Sequence, residues 1–150
     1  MLPSESKEYI ENLFYLYPSR AYRLTVCREK MAYSSRGEAY AEGKRSGGYH
    51  SSGVSPELLQ LAIDLDKKIK EVEAILEALT DAEKDFVAKR YFDKLTMKLV
   101  SEELHVSRRE LYNIRDRVFW KAAQILVIVS DSFDVPADLR SKLLSDEKVS

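Results

Sequence analysis

Within six positions, Arg108, Arg109, Tyr112 and Asn113 gather two forked guanidinium donors, a phenol and a carboxamide. These groups suit the base edges of a duplex major groove: arginine takes guanine O6 and N7 with two prongs, and asparagine takes adenine N6 and N7. Tyrosine bonds phosphate oxygens. Ser107 stands just before them, and a serine beside the free N–H groups of a helix start favours a phosphate as well. Such chemistry requires the four residues to share the exposed side of one rigid element. On a wheel of about 100° per residue, Leu111, Ile114, Val118, Ala122 and Ile125 gather on one side of a helix. Arg109, Asn113, Asp116 and Trp120 lie opposite, Arg108 and Tyr112 take one flank, and Arg117 takes the other. Arg115 falls near the core edge, where an ion pair with Glu102 or Glu103 and a phosphate contact are equally open to it.

The preceding segments supply the positioning elements. Thr80-Asp81-Ala82-Glu83 reads as a capping box that opens a helix over about 82–92, with Phe86, Val87 and Tyr91 inward. A short helix from Thr96 to about Leu104 follows, with Leu99, Val100 and Leu104 apolar. Ser107-Arg108-Arg109-Glu110, a second capping box, opens the last helix. Helix, short turn and capped helix is the helix-turn-helix layout. It makes Arg108, Arg109, Tyr112 and Asn113 candidate base-reading residues. Lys94, Lys98, Ser107 and Arg117 are the candidate phosphate contacts, the two lysines lying where the short helix would cross the backbone.

Upstream the pattern is helical except for one gap. Residues 5–17 place Ile10, Leu13, Phe14 and Tyr17 on one face; Pro18 is expected to start a second helix, which Ala21, Leu24, Cys27 and Met31 continue to about Tyr33. Residues 34–54 contain all five glycines of the chain and read as a flexible loop. Gly43-Lys44 in that loop is no phosphate-binding motif, because five residues follow Gly37 instead of four and Arg45 replaces the required serine or threonine. Lys44, Arg45 and His50 read as part of a solvated linker, with a phosphate contact as the alternative. Ser55-Pro56 then caps a long helix to Leu79, in which Leu58, Ala62, Leu65, Ile69, Val72, Leu76 and Leu79 follow a strict 4-3 spacing. That heptad seam suits helix pairing between two copies of the chain, or packing within one domain. The division is therefore an N-terminal helical arm over 1–33, the loop over 34–54, the long helix over 55–79, the helix-turn-helix unit over 80–130 and a tail over 131–150.

Composition removes several alternatives. The sole cysteine, Cys27, and the two histidines, His50 and His105, allow neither a disulfide framework nor a Cys/His metal cluster. The start MLPSESKEYI lacks a signal-peptide pattern, and the longest apolar run, AAQILVIV, is far too short for a membrane span. Its Ile125, Leu126 and Ile128 read as completing the core, with a partner surface as the alternative. A cytoplasmic protein follows. Net charge is −1, but residues 84–121 hold 10 Lys/Arg against 6 Asp/Glu, whereas 51–83 hold 3 against 8. The basic charge is thus local to the candidate reading unit. No nucleophile elbow or catalytic carboxylate pair appears, so an enzyme is not expected, and neither is a cofactor or metal.

The stretch LTDAEKDFVAKRYFDKLTMKLVSEELHVSRRELYNIRDRV resembles region four of bacterial sigma factors. Over roughly residues 17–128 the chain more fully resembles the phage late-gene transcriptional activators of the RinA family, related to the ArpU type. Tyr17-Pro18, the glycine-rich gap, the long middle helix and Tyr91-Phe92 carry that likeness. Val100 replaces a small alanine and implies a looser helix crossing. His105 stands where the turn often has glycine, and so is expected to take a left-handed backbone. The resemblance implies an all-α protein with a C-terminal sigma-region-four-like helix-turn-helix. It further implies an activator of packaging and structural genes that binds promoter DNA and works with host RNA polymerase at the bacterial nucleoid, as a homodimer or higher oligomer. Carried over by position, Arg108, Arg109, Tyr112 and Asn113 are its recognition residues, with Ser107 and Lys98 on phosphates. Two other readings fit the residues: a small terminase subunit that recognises DNA for packaging, and a module that binds RNA polymerase without reading DNA. Trp120, beyond the DNA footprint, is left to pack on the N-terminal arm, on a second subunit or as a cap of the domain.

Overall fold

The computed structural model describes Leu2 and residues 4–42 and 54–129, with the backbone alone for 34–42. Among the described residues there are helices and no strands: α1 (Ser4–Glu42), α2 (Pro56–Glu77), α3 (Asp81–Val87), a π-turn (Ala88–Phe92), α4 (Met97–Leu104) and α5 (Arg108–Val129). The tail over 131–150 and the loop residues Lys44, Arg45 and His50 lie outside the described residues.

Local signals account for most helix starts. Ser55 Oγ accepts from Leu58 N–H at 3.1 Å ahead of Pro56, and Thr96 Oγ1 accepts from Leu99 N–H at 3.3 Å. At α3 the expected box is complete: Thr80 Oγ1 accepts from Glu83 N–H at 3.3 Å, and Glu83 Oε1 accepts from Thr80 N–H at 2.9 Å. Each such cap is worth about 1 kcal/mol because it satisfies N–H groups that the first turn leaves open.

α1 departs from expectation at both its middle and its end. Pro18 lies inside a continuous helix and starts no second one. A proline within a helix costs roughly 3 kcal/mol, since it removes one backbone donor and crowds the carbonyl four residues back. Burial on both sides of it offsets that cost. Ile10, Leu13 and Phe14 enter the main core, while Leu24 and Cys27 pack with Ala62, Leu65 and Ile69 of α2. Next to the carbonyl that Pro18 deprives, Tyr15 O accepts from Lys94 Nζ at 3.2 Å. The helix also runs on through 34–42, which corrects the expected loop start; the single Gly37 in that stretch costs only about 1 kcal/mol relative to alanine, too little on its own to end the helix.

The heptad seam of α2 is covered from within the chain. Ala62, Leu65 and Ile69 are buried beneath α1, Leu58 is half-buried there, and Val72, Leu76 and Leu79 belong to the main core. The seven residues assigned to oligomerisation therefore face α1 and the core of their own molecule. The stripe Ala21, Leu24, Cys27 and Met31 is a complementary surface on the same chain, and tethering gives it a concentration that a second copy does not match.

The helix expected over about 82–92 divides into α3 and the π-turn, closed by Asp93 N–H to Ala88 O at 2.8 Å. This wider turn rotates less per residue and brings both Tyr91 and Phe92 onto α1. Tyr91 is fully buried, with ring centroids 5.4 Å from Phe14, 5.0 Å from Tyr15 and 5.8 Å from Phe86, and its hydroxyl donates to Glu11 Oε2 at 3.0 Å. Phe92 stacks on Tyr17 at 5.1 Å. Tyr17-Pro18 and Tyr91-Phe92, far apart in the chain, thus meet. Burying such rings contributes about 2 kcal/mol each and seats α1 against the C-terminal helices.

Candidate nucleic-acid interface

α5 is fixed from one side. Leu111, Ile114, Val118 and Ala122 are buried as their spacing predicts, and Phe119, Ala123 and Leu126 join them. Ile125 is half-buried, and Ile128 is 72% exposed, so the end of the apolar run does not complete the core. The connection from α4 is short. His105 takes φ 57° and ψ 42°, the left-handed geometry expected of it, and its N–H donates to Glu102 O. Val106 N–H donates to Ser101 O at 3.2 Å, and the Ser101 hydroxyl donates back to Val106 O. Ser107 Oγ accepts from Glu110 N–H at 3.0 Å, while the Glu110 carboxylate turns toward Arg117 at 3.5 Å. One half of the second capping box is therefore traded for an ion pair along α5.

Above this seat, Arg108, Arg109 and Asn113 are exposed and Tyr112 is 41% exposed. Neither arginine has an ion-pair partner among the described residues. Tyr112 is steadied from behind, because the Arg115 guanidinium lies 4.8 Å from its ring centroid and 5.8 Å from that of Phe119. This replaces the expected pairing of Arg115 with Glu102 or Glu103: its carboxylate neighbour is Asp116 at 3.8 Å, and Glu103 pairs with Lys89 at 3.0 Å. The 112, 115, 119 spacing was the available signal, since side chains three and four apart meet on a helix.

The four candidate phosphate contacts divide. Lys98 is exposed and has no ion pair among the described residues, and Ser107 sits at the α5 start. Lys94 is held, with its ammonium on Tyr15 O and 5.9 Å from the Tyr15 ring centroid. Its backbone takes φ 60°, which a lysine adopts at a cost of about 1–2 kcal/mol. Arg117 is held too, with Nε 3.4 Å from Glu83 Oε2 and Nη2 3.5 Å from Glu110. Both cations brace helices, and no local pattern in the chain signals their carboxylate or carbonyl partners.

Glu83 joins this bracing to the cap of α3. It is buried, and Lys121 Nζ donates to its Oε1 at 2.7 Å. Burial alone would push its carboxyl up, but the hydrogen bonds from Lys121 and Thr80 outweigh burial and hold it below the ordinary glutamate value. Trp120, 39% exposed, lines a cleft of about 370 Å³ with Phe119, Asp116, Lys7 and Leu2. It therefore sits beside the N-terminal arm, one of the three roles open to it. Among the described residues no group of His, Cys, Asp and Glu could hold a metal ion, and no helix is long and apolar enough to cross a membrane. In comparisons with family models, curated proteins and solved structures, nothing matches this chain.

Proposed function

We propose that the chain is a sequence-specific DNA-binding transcription activator in which α4 and α5 act as a helix-turn-helix and the first two turns of α5 read the major groove. The observation that carries this reading is the set Arg108, Arg109, Tyr112 and Asn113, solvent-facing and without carboxylate partners among the described residues, on a helix seated by a packed opposite face. Lys98 and Ser107 supply phosphate contacts, whereas Lys94 and Arg117 keep the unit rigid. The resemblance to RinA-type proteins extends the proposal to phage late genes for packaging and structure, with host RNA polymerase as protein partner. A homo-oligomer, if one forms on DNA, uses a surface other than the covered seam of α2.

Selection from a random duplex pool at about 150 mM salt, which suppresses purely electrostatic binding, tests the reading. An enriched motif is expected, and two spaced halves would indicate two copies per site. Arg109→Ala should weaken binding to that motif by about 1–3 kcal/mol and relax base preference. Lys98→Ala should weaken binding to every sequence and lower the salt slope by about one, while Lys94→Ala should leave that slope unchanged. No enrichment, with no binding even at low salt, would sink the proposal.

A further inference from the structure

A second basic feature lies away from α5. Arg20 and Arg23 of α1 and Lys67 and Lys68 of α2 line a cleft of about 260 Å³ that also includes Leu61 and Asp64. Among the described residues four cations there meet one carboxylate, and Asp64 already accepts from Gln60 Nε2 at 2.9 Å. Two other cations on the same two helices are paired: Arg28 lies 3.5 Å and Lys70 3.0 Å from Asp66. Arg20, Arg23 and Lys67 have no ion-pair partner among the described residues.

Lys68 is committed to a neighbouring cluster, donating to the Tyr9 hydroxyl at 2.9 Å and pairing with Glu71 at 3.4 Å. Arg20 Nη1 is buried and finds no hydrogen-bond partner among the described residues. Burial weakens this guanidinium's hold on its proton, Tyr9 and Glu71 oppose that effect, and Arg23 adds to it. Like charges kept together in a concave site repel one another and focus a field that concentrates anions.

We propose that this cleft binds a phosphate group. The guanidinium fork of Arg23 matches phosphate oxygens two at a time, Arg20 adds its charge beside it, and Lys67 adds a compact charge at the rim. The same chemistry is offered by free phosphate or a small phosphorylated molecule and by the backbone of a nucleic acid. The site shares no residue with the α5 surface, so the two proposals stand or fall separately.

The test is the 31P linewidth of inorganic phosphate titrated with the full chain at constant ionic strength, for wild type and for Arg23→Gln combined with Lys67→Gln. These two residues stand clear of the Tyr9–Lys68–Glu71 cluster, and Arg23→Gln alone carries the same readout should the pair misfold. Wild type should broaden the line saturably, and losing the charged donors should cut that broadening by about tenfold. Equal broadening by both proteins, or none by wild type, overturns the proposal. Salt titration on a random-sequence duplex separates the sources of the phosphate. A slope lowered by about one in the double variant assigns the site to backbone phosphates, and an unchanged slope with lost broadening assigns it to a small ligand.

Discussion

Glu71, between α1 and α2, and Glu83, at the corner of α3 and α5, are both withdrawn from solvent, yet their surroundings move their protons in opposite directions. Glu83 has donors on each oxygen: Thr80 N–H and Lys121 on Oε1, Arg117 on Oε2. Glu71 accepts from the Tyr9 hydroxyl at 3.0 Å through Oε1, but among the described residues Oε2 has the 3.4 Å approach of Lys68 and no hydrogen bond. Burial therefore dominates at Glu71 and raises its carboxyl, against the pull of Lys68, Tyr9 and Arg20. Burial by itself does not decide the ionisation of a carboxylate; the number of donors that each oxygen finds does.

The largest effect is expected at Glu83→Ala, which removes a cap and leaves Lys121 and Arg117 without their shared partner. Urea denaturation should show a loss of about 2–3 kcal/mol, less than for a wholly buried pair because both cations are partly exposed. A loss below about 0.5 kcal/mol would mean that the corner is no better organised than an exposed ion pair. Lys121→Met should cost about 1 kcal/mol, since Thr80 and Arg117 still serve the carboxylate.

Glu71→Gln should be the smallest change and of opposite sign, a gain of about 0.5 kcal/mol or less at neutral pH. The pH profiles sharpen the contrast. Glu83, with a lowered folded value, contributes stability above the unfolded glutamate pKa of about 4.3 and loses it as pH falls through the folded value. Glu71, with a raised folded value, contributes fully below about 4.3 and loses that contribution as pH rises through the folded value. Unfolding measured from about pH 2 to 7 should therefore show Glu83→Gln reducing the acid loss of stability below about pH 4.3 and Glu71→Gln removing a decline toward neutrality. Identical profiles for the two variants would erase the distinction between the sites.

What the sequence discloses is mostly local. The caps at Ser55, Thr80 and Thr96 and the left-handed His105 are written in a few adjacent residues, and the buried side of α5 is written in its period. Partner choice is not local. The 4-3 spacing of α2 is the same whether its seam meets a second copy or α1, so only the tertiary structure assigns it. Pro18 weighs against a helix in isolation and is overruled by packing that no window of sequence contains. The division of the cations follows the same logic: Arg108 and Arg109 resemble Arg117 and Lys94 in type, and differ only in which carboxylate or carbonyl the fold brings near.

Trp120 has a spectroscopic consequence. It is the only tryptophan in the chain, and it contacts the cleft where Leu2 and Lys7 meet α5. Its emission therefore reports the docking of the first turn of α1, while helical circular dichroism is dominated by the long α1 and α2. The two signals should trace one transition in urea only if the Leu24–Leu65 cluster and the main core unfold as a unit. An optical melt followed through a single indole would otherwise describe one end of the molecule and miss the other.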